Sequence, residues 1–427
     1  MIKLYKNARG TDKVIKKLEA RAEGASARVV RSVRNIIKNV RKNGDKALIA
    51  YAKEFDGVEL ERLYMTEEEM VMAESRVAPE LKATMQKAAA NIRAYHEKQK
   101  QEGYEMGEGG IRLGRRVLPL RRVGLYVPGG SAAYPSSVLM NAIPAKVAGV
   151  EDIVMATPCK SEGIRDEVVY AARLAGVDRI LKVGGAQAVA ALAYGTESVE
   201  KVDKIVGPGN IFVATAKREV FGHVDIDMIA GPSEVTVIAD ETADPAYLAA
   251  DMMSQAEHDP LASSILLLTS EKLAKATIAE LKRQMALLPR KEIIEKSLDK
   301  YGAVIVLPDL DAAIETANRI APEHLELAVD DPFALLDRVR NAGSVFLGHY
   351  TPEPLGDYFA GPNHVLPTNG TARFSSPLSV DSFIKKSSYL CYDKDALAAV
   401  SEDVVRFALC EGLSAHANSI SIRSEKR

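Results

Sequence analysis

Tryptophan is absent from this chain of 427 residues, and cysteine nearly so: Cys159, Cys391 and Cys410 are the only three. They are widely spaced and form no Cys-x-x-Cys pair, which excludes both a disulfide framework and a thiolate zinc site and points to a reducing cytoplasm. Also missing is any apolar run approaching roughly eighteen residues, the minimum for a membrane-crossing helix. The start, Met1-Ile-Lys-Leu-Tyr-Lys-Asn7, lacks the apolar core of a signal peptide, so a soluble, unprocessed protein is expected. Neither sign of charge dominates, with 56 Lys+Arg against 58 Asp+Glu. That balance gives no field for nucleic acid or a membrane surface and fits small neutral or zwitterionic partners. The basic run Arg28, Arg31, Arg34, Lys38, Arg41, Lys42 reads as the solvated side of a helix.

What is present is alternation. Residues 1 to 100 carry helical periodicity over 13–23, 25–42, 45–55, 67–76 and 79–100, separated by glycines and polar turns. From Gly114 the pattern changes to short apolar runs bounded by Gly and Pro. A repeat appears in Ala148-Gly-Val-Glu-Asp-Ile-Val-Met155 and Ala175-Gly-Val-Asp-Arg-Ile-Leu-Lys182, with Lys201-Val-Asp-Lys-Ile-Val206 beyond. The step of 27 residues between the first two suits a strand, a helix and their loops, hence βαβ units and a parallel sheet. Strands at 235–239, 264–269, 303–307 and 344–347, with helices at 245–258, 271–287, 309–320 and 332–341, predict a second such unit. A helix over 395–413 and a polar tail, 418–427, close the chain. Two sheets side by side leave a cleft, the usual place for a small-molecule site.

Seven histidines narrow the search for chemistry. Gln255 and His258 lie three residues apart on the helix that Asp244 would cap and Pro260 would stop, a spacing that gives one shared face. Glu323-His324 follows Pro322 at a helix-to-strand junction, where an adjacent acid and imidazole have the chemistry of general bases near neutral pH. His364 and His416 sit with carboxylates or carboxamides nearby, the ligand set that suits zinc. For each histidine alone, a hydrogen-bonded structural role is the plainer reading. The clusters Gly129-Gly130, Gly184-Gly185, Gly207-Pro-Gly-Asn210 and Gly231-Pro-Ser233 do not satisfy the dinucleotide fingerprint, because Phe212 stands where the third glycine would be. Singly they are βα turns whose backbone N–H groups could still face an anion.

Taken together, Gly124-Leu-Tyr-Val-Pro-Gly-Gly130, Val183-Gly-Gly-Ala-Gln187, Gly207-Pro-Gly-Asn210, Ala230-Gly-Pro-Ser-Glu234, Ser254-Gln-Ala-Glu-His258, Pro322-Glu-His324, Gly356-Asp-Tyr358, Asn363-His-Val-Leu-Pro-Thr368 and Glu411 with His416 resemble the histidinol dehydrogenases, in that family's order and over nearly the whole chain. The resemblance implies an NAD-dependent, two-step oxidation of L-histidinol to L-histidine through the aldehyde, the final step of histidine biosynthesis, with one zinc ion per subunit. It implies metal ligands Gln255, His258, Asp357 and His416, and a proton-handling pair of Glu323 and His324. Substrate contacts would come from Ser233, Gln255, His258, His324, Asp357, His364, Glu411 and His416, and cofactor contacts from Tyr126, Gln187 and Asn210.

The implied fold is α/β: two incomplete Rossmann-like parallel-sheet domains flanked by helical N- and C-terminal extensions, in a domain-swapped homodimer with shared active sites. The expected division is a helical extension over 1–24, a first α/β domain from 25–125 with 235–380, a second with the nucleotide site over 126–234, and an exchanged helical tail over 381–427. Competing readings are a relative acting on another amino alcohol, a metallohydrolase in which Glu323 activates a metal-bound water, and a two-lobed binding protein without catalysis.

Overall fold

The computed structural model describes residues 2–21, 25–129 and 134–424; Gly130, which ends one sequence motif, lies outside them. It divides into two compact units, one of Met1–Gln99 with Leu120–Phe383, the other of Lys100–Pro119 with Ile384–Arg427. Within the first unit the chain runs β1 (Lys3–Tyr5), α1 (Ala8–Arg21), α2 (Ala27–Tyr51), α3 (Glu67–Arg76) and α4 (Pro79–Glu97). The smaller unit takes β2 (Tyr104–Met106) and β3 (Ile111–Pro119). The chain then returns through β4 (Arg122–Tyr126), α5 (Pro135–Ala148), β5 (Asp152–Ala156), α6 (Asp166–Ala175), β6 (Arg179–Leu181), α7 (Gly185–Tyr194), β7 (Lys204–Val206), α8 (Ile211–Val220) and β8 (Asp225–Ile226).

These strands form a parallel sheet in the order β6-β5-β4-β7-β8. Its two faces bury different helices. Val33, Ile36 and Leu48 of α2 pack with Ala190, Leu192 and Val213 on one side, and Ile92 of α4 packs with Val138, Ile143 and Val169 on the other. The helices of residues 27–97 therefore belong with this sheet and not, as the expected division had it, with the strands after residue 234. Apolar stripes alone say that a helix must bury a face, not against which sheet.

A second parallel sheet follows, from β9 (Glu234–Ala239), α9 (Pro245–Ala256), β10 (Ser263–Leu268), α10 (Glu271–Met285), α11 (Lys291–Tyr301), β11 (Gly302–Val306), α12 (Leu310–Ile320), β12 (His324–Ala328), α13 (Phe333–Leu336), β13 (Ser344–Leu347) and α14 (Glu353–Tyr358). Its order is β1-β11-β10-β9-β12-β13, so the segment expected as a helical extension contributes an edge strand. β9 and β10 are buried at every residue, as parallel strands covered on both faces must be. Met252, Leu281 and Leu298 cover one face; Val14 and Ile314 cover the other. From β4 to β8, and again from β9 to β13, the chain starts in the middle of a sheet and adds strands first to one side and then to the other, which creates a switch point between β4 and β7 and between β9 and β12.

The smaller unit pairs β14 (Ile384–Tyr392) antiparallel with β3, and carries α15 (Lys394–Cys410) and α16 (Ser414–Ser424). The tail is thus partly a strand, and helix occupies most of what reads as a polar tail. Among the described residues no helix is long and apolar enough to cross a membrane.

Candidate active site

The start of β12, beside the start of β9, holds the pair singled out in the sequence. α12 ends at Ala321, which takes a left-handed conformation (φ 54°), and Pro322-Glu323 leads straight into β12. Glu323 and His324 thereby stand at the amino ends of the parallel strands. Glu323 Oε2 accepts the backbone N–H of Glu234 at 2.9 Å, and His324 Nδ1 donates to the Glu234 carbonyl at 2.9 Å. Because a carbonyl only accepts, this bond fixes the proton on Nδ1 and leaves Nε2 as the basic nitrogen. His324 Nε2 is buried with no hydrogen-bond partner among the described residues; Asp357 Oδ1 and Glu353 Oε1 both stand 3.9 Å away, too far to bond. Burial holds this imidazole down at about 4 and pushes the Glu323 carboxyl well up, helped by the neighbouring charge of Glu234. The site thus contains an imidazole that is neutral at neutral pH beside a carboxyl whose charged form burial disfavours.

Nε2 faces a cavity of about 110 Å³ lined by His324, Phe346, Leu355, Asp357, Pro362 and His364. A larger, open depression of about 580 Å³, bordered by Arg41, Lys42, Tyr194 and Glu197, lies away from these residues and contains no buried acid–base pair, so the smaller cavity is the one with chemistry. His364 Nδ1 donates to the Asp357 carbonyl at 3.0 Å, and burial lowers it also to about 4. Its loop is pinned by Asn363, whose amide donates to Met140 O at 2.6 Å and whose Oδ1 receives Val365 N–H at 2.9 Å.

A group of ligand atoms adjoins this cavity. α9 is capped by Asp244, whose carboxylate accepts from Ala246 N–H at 2.7 Å, with Pro245 in its first turn as expected. The helix ends at Ala256, so Gln255 lies in its last turn and His258 just past it. His258, Glu353 and Asp357 offer ligand atoms that all lie within 4.8 Å of one another. Gln255 Oε1 is buried without a hydrogen-bond partner. A buried orphan oxygen costs about 1–3 kcal/mol, so a donor set of one imidazole, two carboxyls and this carbonyl fits a divalent cation such as zinc.

Glu353 is a residue the sequence reading missed, although its place four residues before Asp357 is a helical neighbour spacing. Its acid is raised to about 8 by burial and by Asp357, which itself is raised to about 6 by burial. Behind it Glu326 Oε1 accepts Glu353 N–H at 2.9 Å and hydrogen-bonds side chain to side chain with Asp251, an acid pair also overlooked. Glu326 is two residues beyond His324 on one strand, hence on the same face.

Tyr126, Gln187 and Asn210 gather at the carboxyl edge of the first sheet, at the end of β4, in the first turn of α7 and at the start of α8. Tyr126 is buried, with its hydroxyl accepting Gly185 N–H at 3.0 Å and pushed up to about 12. Asn210 caps α8, its oxygen accepting from Phe212 N–H at 3.0 Å and Val213 N–H at 3.2 Å, so only its amide nitrogen remains to offer. Ser233, half-buried, precedes Glu234. Glu411 and His416 are exposed in the smaller unit, just after α15 and on α16.

A family model described as histidinol dehydrogenase matches residues 19–424. The chain belongs to the histidinol dehydrogenase family. It is 57% identical to histidinol dehydrogenase of Clostridium acetobutylicum over 414 residues, 96% of each chain. To that of Bacillus thuringiensis subsp. konkukian it is 54% identical, covering 96% of this chain and 97% of the other. The crystal structure of histidinol dehydrogenase from Elizabethkingia anophelis superimposes with a TM-score of 0.94 at 39% identity, covering 99% of this chain and 98% of that one. The family is one of oxidoreductases of histidine biosynthesis, and its mixed α/β fold with parallel sheets is the fold found here.

Proposed function

We propose that the chain oxidises L-histidinol to L-histidine through L-histidinaldehyde, with two molecules of NAD⁺ reduced in succession, as the last step of histidine biosynthesis in a reducing cytoplasm. The observation that carries the reading is the imidazole of His324, a residue that lines the cavity next to Glu323, with its proton locked on Nδ1 and its buried Nε2 left without a hydrogen-bond partner. In the first step Nε2 takes the hydroxyl proton as hydride leaves the carbinol carbon for NAD⁺, giving aldehyde and NADH. In the second, Glu323 takes a proton from water as its oxygen adds to the aldehyde carbon, and the hydrated aldehyde gives hydride to a second NAD⁺, leaving the carboxylic acid. Burial keeps the imidazole neutral, with a lone pair free to take a proton, and raises the basicity of the Glu323 carboxyl.

Zinc, when bound, supplies a fixed positive charge that orients the polar groups of the substrate and is itself redox-silent. Gln255, His258 and Asp357 would hold it, with Glu353 within reach and His416 completing the set. Ser233, His364 and Glu411 would contact substrate, and NAD⁺ would lie along Tyr126, Gln187 and Asn210, where the first sheet has its switch point. A thiohemiacetal route has little support: none of the three cysteines lines the cavity that His324 borders, and burial pushes the Cys159 thiol up, away from the reactive thiolate.

We further propose a homodimer with exchanged C-terminal segments. Leu390 and Phe407 of the smaller unit are 72% and 70% exposed, an apolar surface that suits burial against a second copy. The deciding measurement is NADH formed per L-histidinol consumed. Two are expected, abolished by a chelator and restored by zinc; one, or none, would overturn the reading.

A further inference from the structure

Both members of the proton-handling pair are held by one residue that the chemistry above leaves unused. Glu234 opens β9; its N–H bonds Glu323 Oε2 and its C=O bonds His324 Nδ1, each at 2.9 Å. These two groups belong to successive peptide planes that swivel about a single Cα, and they lie at the very start of the strand. On the β10 side the neighbouring tie is Ser263 N–H to Ser233 O, at 3.0 Å, one residue earlier. The direction of the Glu234 side chain is therefore a handle on both planes.

That side chain is buried in an unusual way. Its carboxylate pairs with the guanidinium of Arg21, the last residue of α1, and the two side chains are 6% and 2% exposed. Arg21 Nη1 is tied in turn to Leu261 O at 2.7 Å, and its guanidinium stands over the Tyr301 ring at 5.5 Å. The other carboxylate oxygen, Glu234 Oε2, is buried without a hydrogen-bond partner among the described residues. A buried ion pair is seldom better for stability than apolar side chains of equal volume, so packing alone does not account for it. Its location gives another reason. The Glu323 carboxyl already faces the acids Glu234, Asp357 and Glu353, with neutral His324 beside it. Arg21 adds a positive charge that offsets part of the charge Glu234 presents to Glu323.

We propose that Glu234 is a positioning residue for the oxidation, aligning Glu323 and His324 through its own N–H and C=O, and that Arg21 locks and neutralises it from the far end of the chain. The proposal rests on the reaction proposed above. Wild-type turnover of L-histidinol with NAD⁺ is accordingly the first control, and its absence would refute that reaction separately.

The test compares zinc-loaded Arg21→Met, Glu234→Gln, the double variant Arg21→Met/Glu234→Gln, and Arg319→Ala. The last breaks the exposed Arg319–Asp12 contact between α12 and α1 without touching Glu234, and so controls for looser docking of α1. A misplacement of about 1 Å costs about 10²-fold in rate. We expect kcat of each single variant at Arg21 or Glu234 to fall about 10–100-fold with the KM for L-histidinol nearly constant, and the double variant, with no unbalanced charge, to regain most of the loss. Arg319→Ala should keep wild-type kcat. A folded Arg21→Met enzyme that melts earlier yet keeps its kcat would show the pair to be merely structural and overturn the proposal, as would a double variant no better than the singles. Should Arg21→Met not fold, Arg21→Lys, which keeps the charge but loses the guanidinium fork, carries the same comparison with a smaller loss expected.

Discussion

His324 and Glu323 differ in what their surroundings demand of them. The imidazole is neutral with an orphan nitrogen aimed into the cavity, whereas the carboxyl is raised by burial and by a neighbouring acid. Replacing His324 with Asn should lower the rate of alcohol oxidation about 10²–10⁴-fold, the usual contribution of a well-placed base. Glu323→Gln should slow aldehyde oxidation far more than alcohol oxidation; equal losses in both half-reactions would contradict its assigned role. The same shifts predict a pH dependence of stability in protein stripped of divalent ions. His324 and His364, lowered from 6.5 to about 4, stabilise fully above pH 6.5 and lose that contribution as pH falls towards 4. Glu353, raised from 4.5 to about 8, does the reverse: its contribution is complete at low pH and is lost as pH rises towards 8. Above pH 6.5 only the carboxyls act, so the melting temperature should fall from pH 6.5 to 8. A constant or rising value would count against the buried acid cluster. At this scale the sequence showed the adjacency of Glu323 and His324 and the spacing of Gln255 and His258. It could not show Glu353, Glu326 or Asp251 as one buried group, because burial, not residue type, makes an acid unusual.

Among the elements, the turn before α8 shows how a glycine loop is made rigid. Gly207 takes φ 105°, a conformation open to glycine, and its peptide groups are gripped on both sides. Lys217 Nζ donates to Gly207 O at 2.9 Å, and Gly207 N–H donates to Asp227 Oδ2 at 2.8 Å, while Lys217 and Asp227 pair with one another at 2% and 1% exposure. Lys217→Met leaves a buried Asp227 uncompensated and should destabilise the protein by about 3–5 kcal/mol. Since the loop leads into the helix capped by Asn210, the KM for NAD⁺ should rise more than that for L-histidinol; parallel increases would argue against a cofactor role for the loop. The sequence marked Gly207-Pro-Gly-Asn210 as a βα turn and rejected the standard fingerprint. It gave no sign of the clamp, whose lysine lies ten residues on. The caps were legible: Asp244 and Asn210 both hold helix N–H groups, a local effect of adjacent residues. The break expected over 43–45 is there as well: Gly44 takes a non-helical conformation (φ 53°, ψ −134°), so Ala27–Tyr51 is two helices meeting at a kink.

For the whole molecule, the shared site can be tested by complementation. His258→Ala and His416→Ala should each be inactive. Dissociated, mixed and re-associated, they should recover about a quarter of wild-type activity, since half the dimers would be hybrids with one complete site of two. No recovery would place His416 in its own subunit's site. The sequence by itself determined the alternation of strands and helices, the two parallel sheets and the pairing of acid with imidazole, because periodicity, caps and neighbouring residues act over a few positions. Only the tertiary structure decided that the helices of residues 27–97 cover the first sheet, that Lys3–Tyr5 closes the edge of the second, and that Arg21 reaches Glu234 behind the catalytic pair. Those are choices among partners distant in the chain, settled by shape and desolvation at a contact that no local pattern encodes.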